Sequence, residues 1–173
     1  MHIQTHVMSG WCIGNIFDIN ARERFFCMFA ASLHDIDGLG ILFSQELYWN
    51  YHHVACHGIF FCFALSFIMS LFSKHKLKCF FLYICLAHLH IMMDLLGSGE
   101  LWGISYFWPL SEHSAKIPLC WPLYSWQNIL TGCILLALTI LIIYLKKRSP
   151  LEYIMPNLDK KIVAFFRGSD MRA

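Results

Sequence analysis

The sequence predicts an all-α integral membrane protein of about five helices, with a metal site at one membrane end. Three observations predict it. Hydrophobic residues make up 58% of the chain and charged residues 14%, against roughly half and a quarter in an ordinary globular domain. Three apolar runs approach the ~20 residues that a bilayer core demands. Lysine and arginine fall on one side of the resulting threading, and histidine on the other.

The apolar runs are residues 54–73, 77–96 and 129–145. The second is interrupted by His88, His90 and Asp94. Two shorter stretches, 5–17 and 25–33, read as helices too short to span alone. Residues 97–127 form a loop holding three of the five prolines and four of the six tryptophans, the composition of an interfacial belt. Residues 149–173 form a polar tail with a short apolar patch at 162–166, suited to lying on the inner leaflet. The expected organisation is a membrane-embedded metal-binding domain, 1–148, and a cytoplasmic tail, 149–173. The N-terminus lacks the basic start and unbroken apolar stretch of a secretory signal.

If the five helices alternate, Arg22, Arg24, Lys74, Lys76, Lys78, Lys146, Lys147, Arg148, Lys160, Lys161, Arg167 and Arg172 share one side, and only Lys116 lies elsewhere. The positive-inside rule makes that side the cytoplasm of a multi-pass inner-membrane protein. The histidines sort the opposite way: of the ten, only His75 lies inside. They took no part in the threading, so their segregation supports it independently.

A net charge of +2 gives no electrostatic reason to expect nucleic acid as a stable partner. The expected partners are membrane lipids and a lipid or phosphoester substrate. The eight cysteines are scattered without a CxxC pair, which disfavours a disulfide framework or zinc ribbon. There is no HExxH, which disfavours a zincin-type intramembrane protease, and "GSGE" at 97–100 is not a nucleophile elbow.

The segment "HLHIMMD" sets His90 and Asp94 four residues apart, so a helix puts them on one face, one turn apart. There they can reach a single metal ion, and ionisable groups within a span are costly enough to suggest function. A structural His–Asp pair pinning two helices is the plain alternative. "YHHVACHGIFF" places His52, His53 and His57 where an apolar run begins. His52 and His57 do not align on one straight helix, so His52 is expected in the loop and His57 near the helix start. "HDIDG" at 34–38 reads as a turn that offers Asp35 and Asp37 as hard oxygen donors. His6 gains weight only from lying at the same end. At ~1.5 Å per residue, His57 lies about 25 Å from Lys74, and His90 about 18 Å from Lys78. An antiparallel hairpin turning at "KHKLK" therefore brings both to similar depth.

In this order the motifs resemble the LexA-regulated family of bacterial inner-membrane metal-dependent hydrolases. That family carries an early His, a Pro-Asp-Ile-Asp turn, a His-Arg-Gly-x-Thr-His segment, and a His-x-x-x-Asp helix followed by a Trp-Pro-Phe/Leu stretch. The matches here are His6, "HDIDG" 34–38, "HHVACH" 52–57, "HIMMD" 90–94 and "WPLSEHSAKIP" 108–118, over roughly residues 1–145. His34 stands in place of Pro, His53 and Val54 in place of Arg and Gly, and Cys56 in place of Thr. The Arg position is one that would meet a substrate phosphate. More distantly the pattern is similar to zinc-dependent phospholipase C and P1-type nucleases, helical proteins whose His and Asp ligands gather two or three zinc ions. The resemblance implies phosphoester chemistry.

The expected function is therefore membrane-bound, metal-dependent hydrolysis of a phosphoester or lipid-linked substrate. Expected ligands are His6, Asp35, Asp37, His52, His57, His90 and Asp94, gathering two or more divalent ions, with zinc favoured over manganese or iron. Expected catalytic groups are Asp35, His53 and Glu100, with His34 and His88 as further supporting or acid–base candidates. The alternative is a non-enzymatic protein that binds or transports divalent metal. A third reading is a di-iron oxidoreductase, since "HHVACH" has the look of a histidine box. That reading leaves the aspartates unexplained.

Overall fold

The computed structural model describes residues 1–168, so Arg172 and the end of the tail lie outside it. Among the described residues there are seven α-helices and one 3-10 segment. They are α1 (Ile3–Gly14), α2 (Ala21–Ala30), the 3-10 segment (Leu33–Leu42), α3 (Gln45–Tyr51), α4 (Ile59–Leu71), α5 (Lys76–Gly97), α6 (Trp126–Lys146) and α7 (Pro156–Arg167). Expecting five helices missed α3, α7 and the 3-10 segment.

Local chemistry sets the boundaries. Asn20 and Glu23 close a reciprocal capping box on α2, which fixes its start after the α1 turn. Ser44 caps α3 by accepting from the Leu47 N–H at 3.0 Å. Lys147 ends α6 in the left-handed region. Gly10 lets α1 and α2 close together, since a Cβ there would lie 2.4 Å from the Cys27 carbonyl oxygen. Close approach through small residues is how helices pack without a hydrophobic driving force between them.

Polarity is distributed as a lipid-facing bundle requires. Interior positions include Thr5, His6, Ser9, Glu23, Arg24, His34, Ser66, Ser70, His90 and Asp94. The outside of α4 shows Phe60, Phe63, Phe67 and Ile68, and α6 shows Ile129, Ile134, Leu138 and Leu141. Two helices, α5 at 22 residues and α6 at 21, are long and apolar enough to cross a membrane. A third crossing results if α2 and the 3-10 segment, bent by 54° at their break, form one broken span.

The expected span 54–73 is shorter in the structure: α4 has 13 residues and begins at Ile59. Residues 52–58 are held as a loop instead. His53 adopts a left-handed backbone with φ of 68°. Its carbonyl accepts from the Ser105 N–H at 3.1 Å, while the Ile59 N–H donates to the Tyr106 carbonyl at 2.8 Å. These bonds to the 97–127 loop compete with the first helical turn and win.

The α4–α5 hairpin has two chemically distinct ends. At the turn end, Arg24 grips Glu152 through two nitrogens, Nε–Oε1 at 2.5 Å and Nη2–Oε2 at 2.9 Å. There the Lys78 ammonium reaches the Asp18 carbonyl at 2.9 Å, and Glu23 accepts from the His75 N–H at 2.9 Å. The basic segments that the sequence placed on one side thus meet in space. His6, Asp35, His57, His90 and Asp94 meet at the other end.

Candidate metal centre

Helix α5 supplies the first two groups. His90 and Asp94 lie one turn apart, with Nε2 and Oδ2 separated by 2.9 Å. The loop before α4 brings His57 against them, Nε2 to Nε2 of His90 at 3.1 Å and to Asp94 Oδ2 at 3.5 Å. The 3-10 segment adds Asp35, whose Oδ1 lies 3.8 Å from His57 Nε2 and 3.6 Å from His90 Nε2. The four donor atoms all lie within 4.8 Å of one another. Bonds of about 2.0–2.1 Å to one tetrahedral ion set donors roughly 3.4 Å apart. The spacing fits one small cation at the centre.

The protonation pattern points the same way. His90 Nδ1 lies 2.8 Å from the Ala31 carbonyl oxygen. A carbonyl only accepts, so Nδ1 carries the proton and Nε2 of the neutral ring presents a lone pair. His57 Nδ1 lies 3.0 Å from Asp37 Oδ2, a carboxylate, so it too carries its proton there. Burial opposes a charge on His57, but the Asp37 and Asp94 carboxylates outweigh it and raise the imidazole to about 9, so without a metal a second proton on Nε2 bridges to His90 Nε2 at 3.1 Å. Once a cation displaces that proton, two imidazole lone pairs and two carboxylate oxygens converge in a buried space. Asp94 Oδ2 and Asp35 Oδ2 have no hydrogen-bond donor. Such a set repels itself unless a positive charge sits among its members. An imidazole oriented by a carboxylate or carbonyl on its far nitrogen is the usual support of a metal ligand.

Of the seven expected ligands, the structure gathers four. It does not bring Asp37 and His52 to the cluster. A 3-10 segment advances about three residues per turn, so Asp35 and Asp37 point in different directions. Asp37 stands behind His57, accepting from its Nδ1, from His52 Nδ1 at 2.7 Å and from the Cys56 N–H at 3.4 Å. His52 stacks on Tyr48, ring centroids 4.8 Å apart. His6 meets the far oxygen of Asp94, Nε2 to Oδ1 at 3.1 Å, and its own Nδ1 is unpartnered. The Met1 amine and Ser98 Oγ share that oxygen.

The remaining candidates separate by burial. His34 is fully buried, stacked on His90 at 4.7 Å, with Nε2 3.4 Å from Cys62 Sγ, and so braces the cluster from behind. His53 is buried with Nε2 3.9 Å from Asp94 Oδ2. Burial pushes its imidazole down to about 2, so it stays neutral at physiological pH and serves as a hydrogen-bonding group more readily than as a base. His88 is bonded elsewhere, Nδ1 to the Ile84 carbonyl and Nε2 to the Tyr106 hydroxyl, both at 2.8 Å. Glu100 is exposed and lines a neighbouring cleft with Lys116.

A cleft of about 230 Å³ opens over the cluster, lined by Asp35, Tyr48, His52, His53, Ser98 and Trp102 among others. The side chain of Asp35 is 15% exposed, while those of His57 and His90 are 0% and that of Asp94 is 1%. Asp35 is therefore the donor that a molecule in the cleft meets. Trp102 stacks on Trp49 at 4.7 Å and 13°, making an aromatic wall. Sequence reasoning assigned the loop tryptophans to the membrane interface and so missed this one. Nor could any side-chain signal have revealed the Ala31 carbonyl.

A model of the YdjM inner membrane protein family matches residues 1–161 of the chain. No curated protein and no solved structure matches it.

Proposed function

We propose that this chain, which belongs to the YdjM inner membrane protein family, is a metal-dependent hydrolase acting on a phosphoester or lipid-linked substrate at the membrane surface. The observation that carries this reading is the convergence of Asp35, His57, His90 and Asp94 on one point beside an open cleft.

Four mixed nitrogen and oxygen donors at these separations suit zinc best, with manganese or iron as alternatives. A divalent ion held there would lower the pKa of a coordinated water to about 7 and polarise a phosphoryl or acyl oxygen. The chain's own groups do the rest. Asp37 and the Ala31 carbonyl hold the protons of His57 and His90 on Nδ1, keeping Nε2 free to ligate. The Asp35 carboxylate, whose residue lines the cleft, can accept a proton from a water in it. His53 Nε2 can orient the same water. A second ion at His6 and Asp94 Oδ1 would have to displace the Met1 amine from that oxygen.

The membrane setting narrows the substrate. The 3-10 segment, its cap Phe43 and α3 present Leu39, Leu42, Phe43 and Trp49 outward. That apolar rim would sit in the outer part of a bilayer, admitting a molecule with a polar head and an apolar tail. In this arrangement the basic end faces the cytoplasm and the cluster the opposite side.

The test is a purified sample assayed for metal content and then against phosphodiester and phospholipid substrates. The reading predicts bound divalent metal and turnover lost on chelation. Vesicle uptake of zinc that vanishes in Asp94→Ala, with no hydrolysis of any phosphoester tested, would favour a metal carrier instead.

A further inference from the structure

We infer that α7 is an interfacial helix that docks on acidic phospholipid headgroups at the basic end of the bundle, independently of the metal chemistry. The inference starts from spacing. Leu158, Ile162, Phe165 and Phe166 recur at i, i+4, i+7 and i+8, which is one helical stripe. Asn157, Lys160, Ala164 and Arg167 occupy the opposite face, and Lys161 lies at the border. None of the helix's side chains is buried. Phe165 is 76% exposed, and Tyr153, Ile154 and Met155 of the preceding turn are also exposed. An apolar stripe so uncovered needs an apolar phase to cover it.

Position and charge say which phase. α7 follows α6, a helix able to span the membrane, after a short joint fixed by the Ser149 N–H donating to Asp159 Oδ1 at 2.5 Å. That places the stripe at the bilayer surface. Residues 146–167 hold six basic residues, Lys146, Lys147, Arg148, Lys160, Lys161 and Arg167, against two acidic ones. Both acids are engaged within the protein, Asp159 by Ser149 and Glu152 by Arg24. Among the described residues no ion pair occupies Lys160, Lys161 or Arg167. An apolar stripe flanked by unpaired Lys and Arg is the composition of a helix lying in an anionic interface, its long basic side chains reaching up to the headgroups.

The full chain, reconstituted in nanodiscs of phosphatidylcholine alone or with phosphatidylglycerol, tests this by amide hydrogen exchange across 156–167. Each basic residue near an acidic surface strengthens partition by a factor of roughly five, so exchange should slow by about tenfold or more in the acidic discs. The Phe165→Asp/Phe166→Asp variant should lose protection in both lipids. The Lys160→Glu/Lys161→Glu variant should lose only the dependence on lipid charge. Exchange in α5 serves as the folding control and should be unchanged in every case. Equal exchange of α7 in both lipids would overturn the inference. Protection that rises with protein concentration in detergent without lipid would also overturn it, assigning the stripe to a second copy of the chain.

Discussion

Asp37 reaches His57 from behind, Oδ2 to Nδ1 at 3.0 Å, and so decides which nitrogen of His57 faces the other donors. The same carboxylate holds His52 at 2.7 Å through its other oxygen. Asp37 is thus a positioning residue. Asp37→Asn should weaken metal affinity by about 10–100-fold without abolishing it, because the four donors remain while the His57 tautomer is no longer enforced. Titration calorimetry with zinc on the purified variant measures this. Unchanged affinity would show that the His57 ring is held by packing alone.

His90→Ala and Asp94→Ala should each remove bound metal outright, since each deletes a donor from the buried set. His75→Ala should keep full occupancy: that imidazole lies at the opposite end of the hairpin, 3.3 Å from Glu23. Metal content of the three purified variants checks both halves. Full occupancy in His90→Ala and Asp94→Ala would make the pair structural.

Metal binding should weaken steadily as pH falls below about 9, the value to which the Asp37 and Asp94 carboxylates raise the His57 imidazole against its burial. The sign follows from the ligating atoms: His57 and His90 offer Nε2 only when neutral, so protons compete directly with metal. At pH 8 a chelator should lower the unfolding temperature of the native protein. An ion at a hundredfold excess over its Kd stabilises by about 2.7 kcal/mol. At pH 5 the chelator should have little left to remove. Thermal scans with and without chelator at the two pH values make the comparison.

Topology follows from the two ends of the bundle. A reporter fused after Arg148 should read cytoplasmic, and one inserted near Lys116 should read external. Both reporters on the same side would end the assignment of the cluster to the outer face.

The sequence made the α5 half of the site legible because a helix converts a spacing of four directly into one face: His90 and Asp94 meet as read. It offers both Asp35 and Asp37 as ligands, since nothing in "HDIDG" distinguishes a turn from a 3-10 segment, and only the latter sends the two carboxylates apart. The histidine-rich loop was visible as composition. Its conformation was not, because it is set by bonds to Ser105 and Tyr106, about fifty residues away. In the tail the sequence shows an apolar patch suited to the inner leaflet, while the helix that aligns it into a stripe with Leu158 is visible only in the fold.

On the proposed function, Asp35, His57, His90 and Asp94 jointly hold one divalent cation. X-ray absorption on zinc-loaded protein tests it most directly. The spectrum should show nitrogen and oxygen scatterers at about 2.0–2.1 Å, with the multiple-scattering signature of two imidazoles that falls by half in a zinc-bound fraction of His57→Gln. A spectrum without imidazole, one dominated by sulfur at about 2.3 Å, or a native protein that retains no zinc would contradict it.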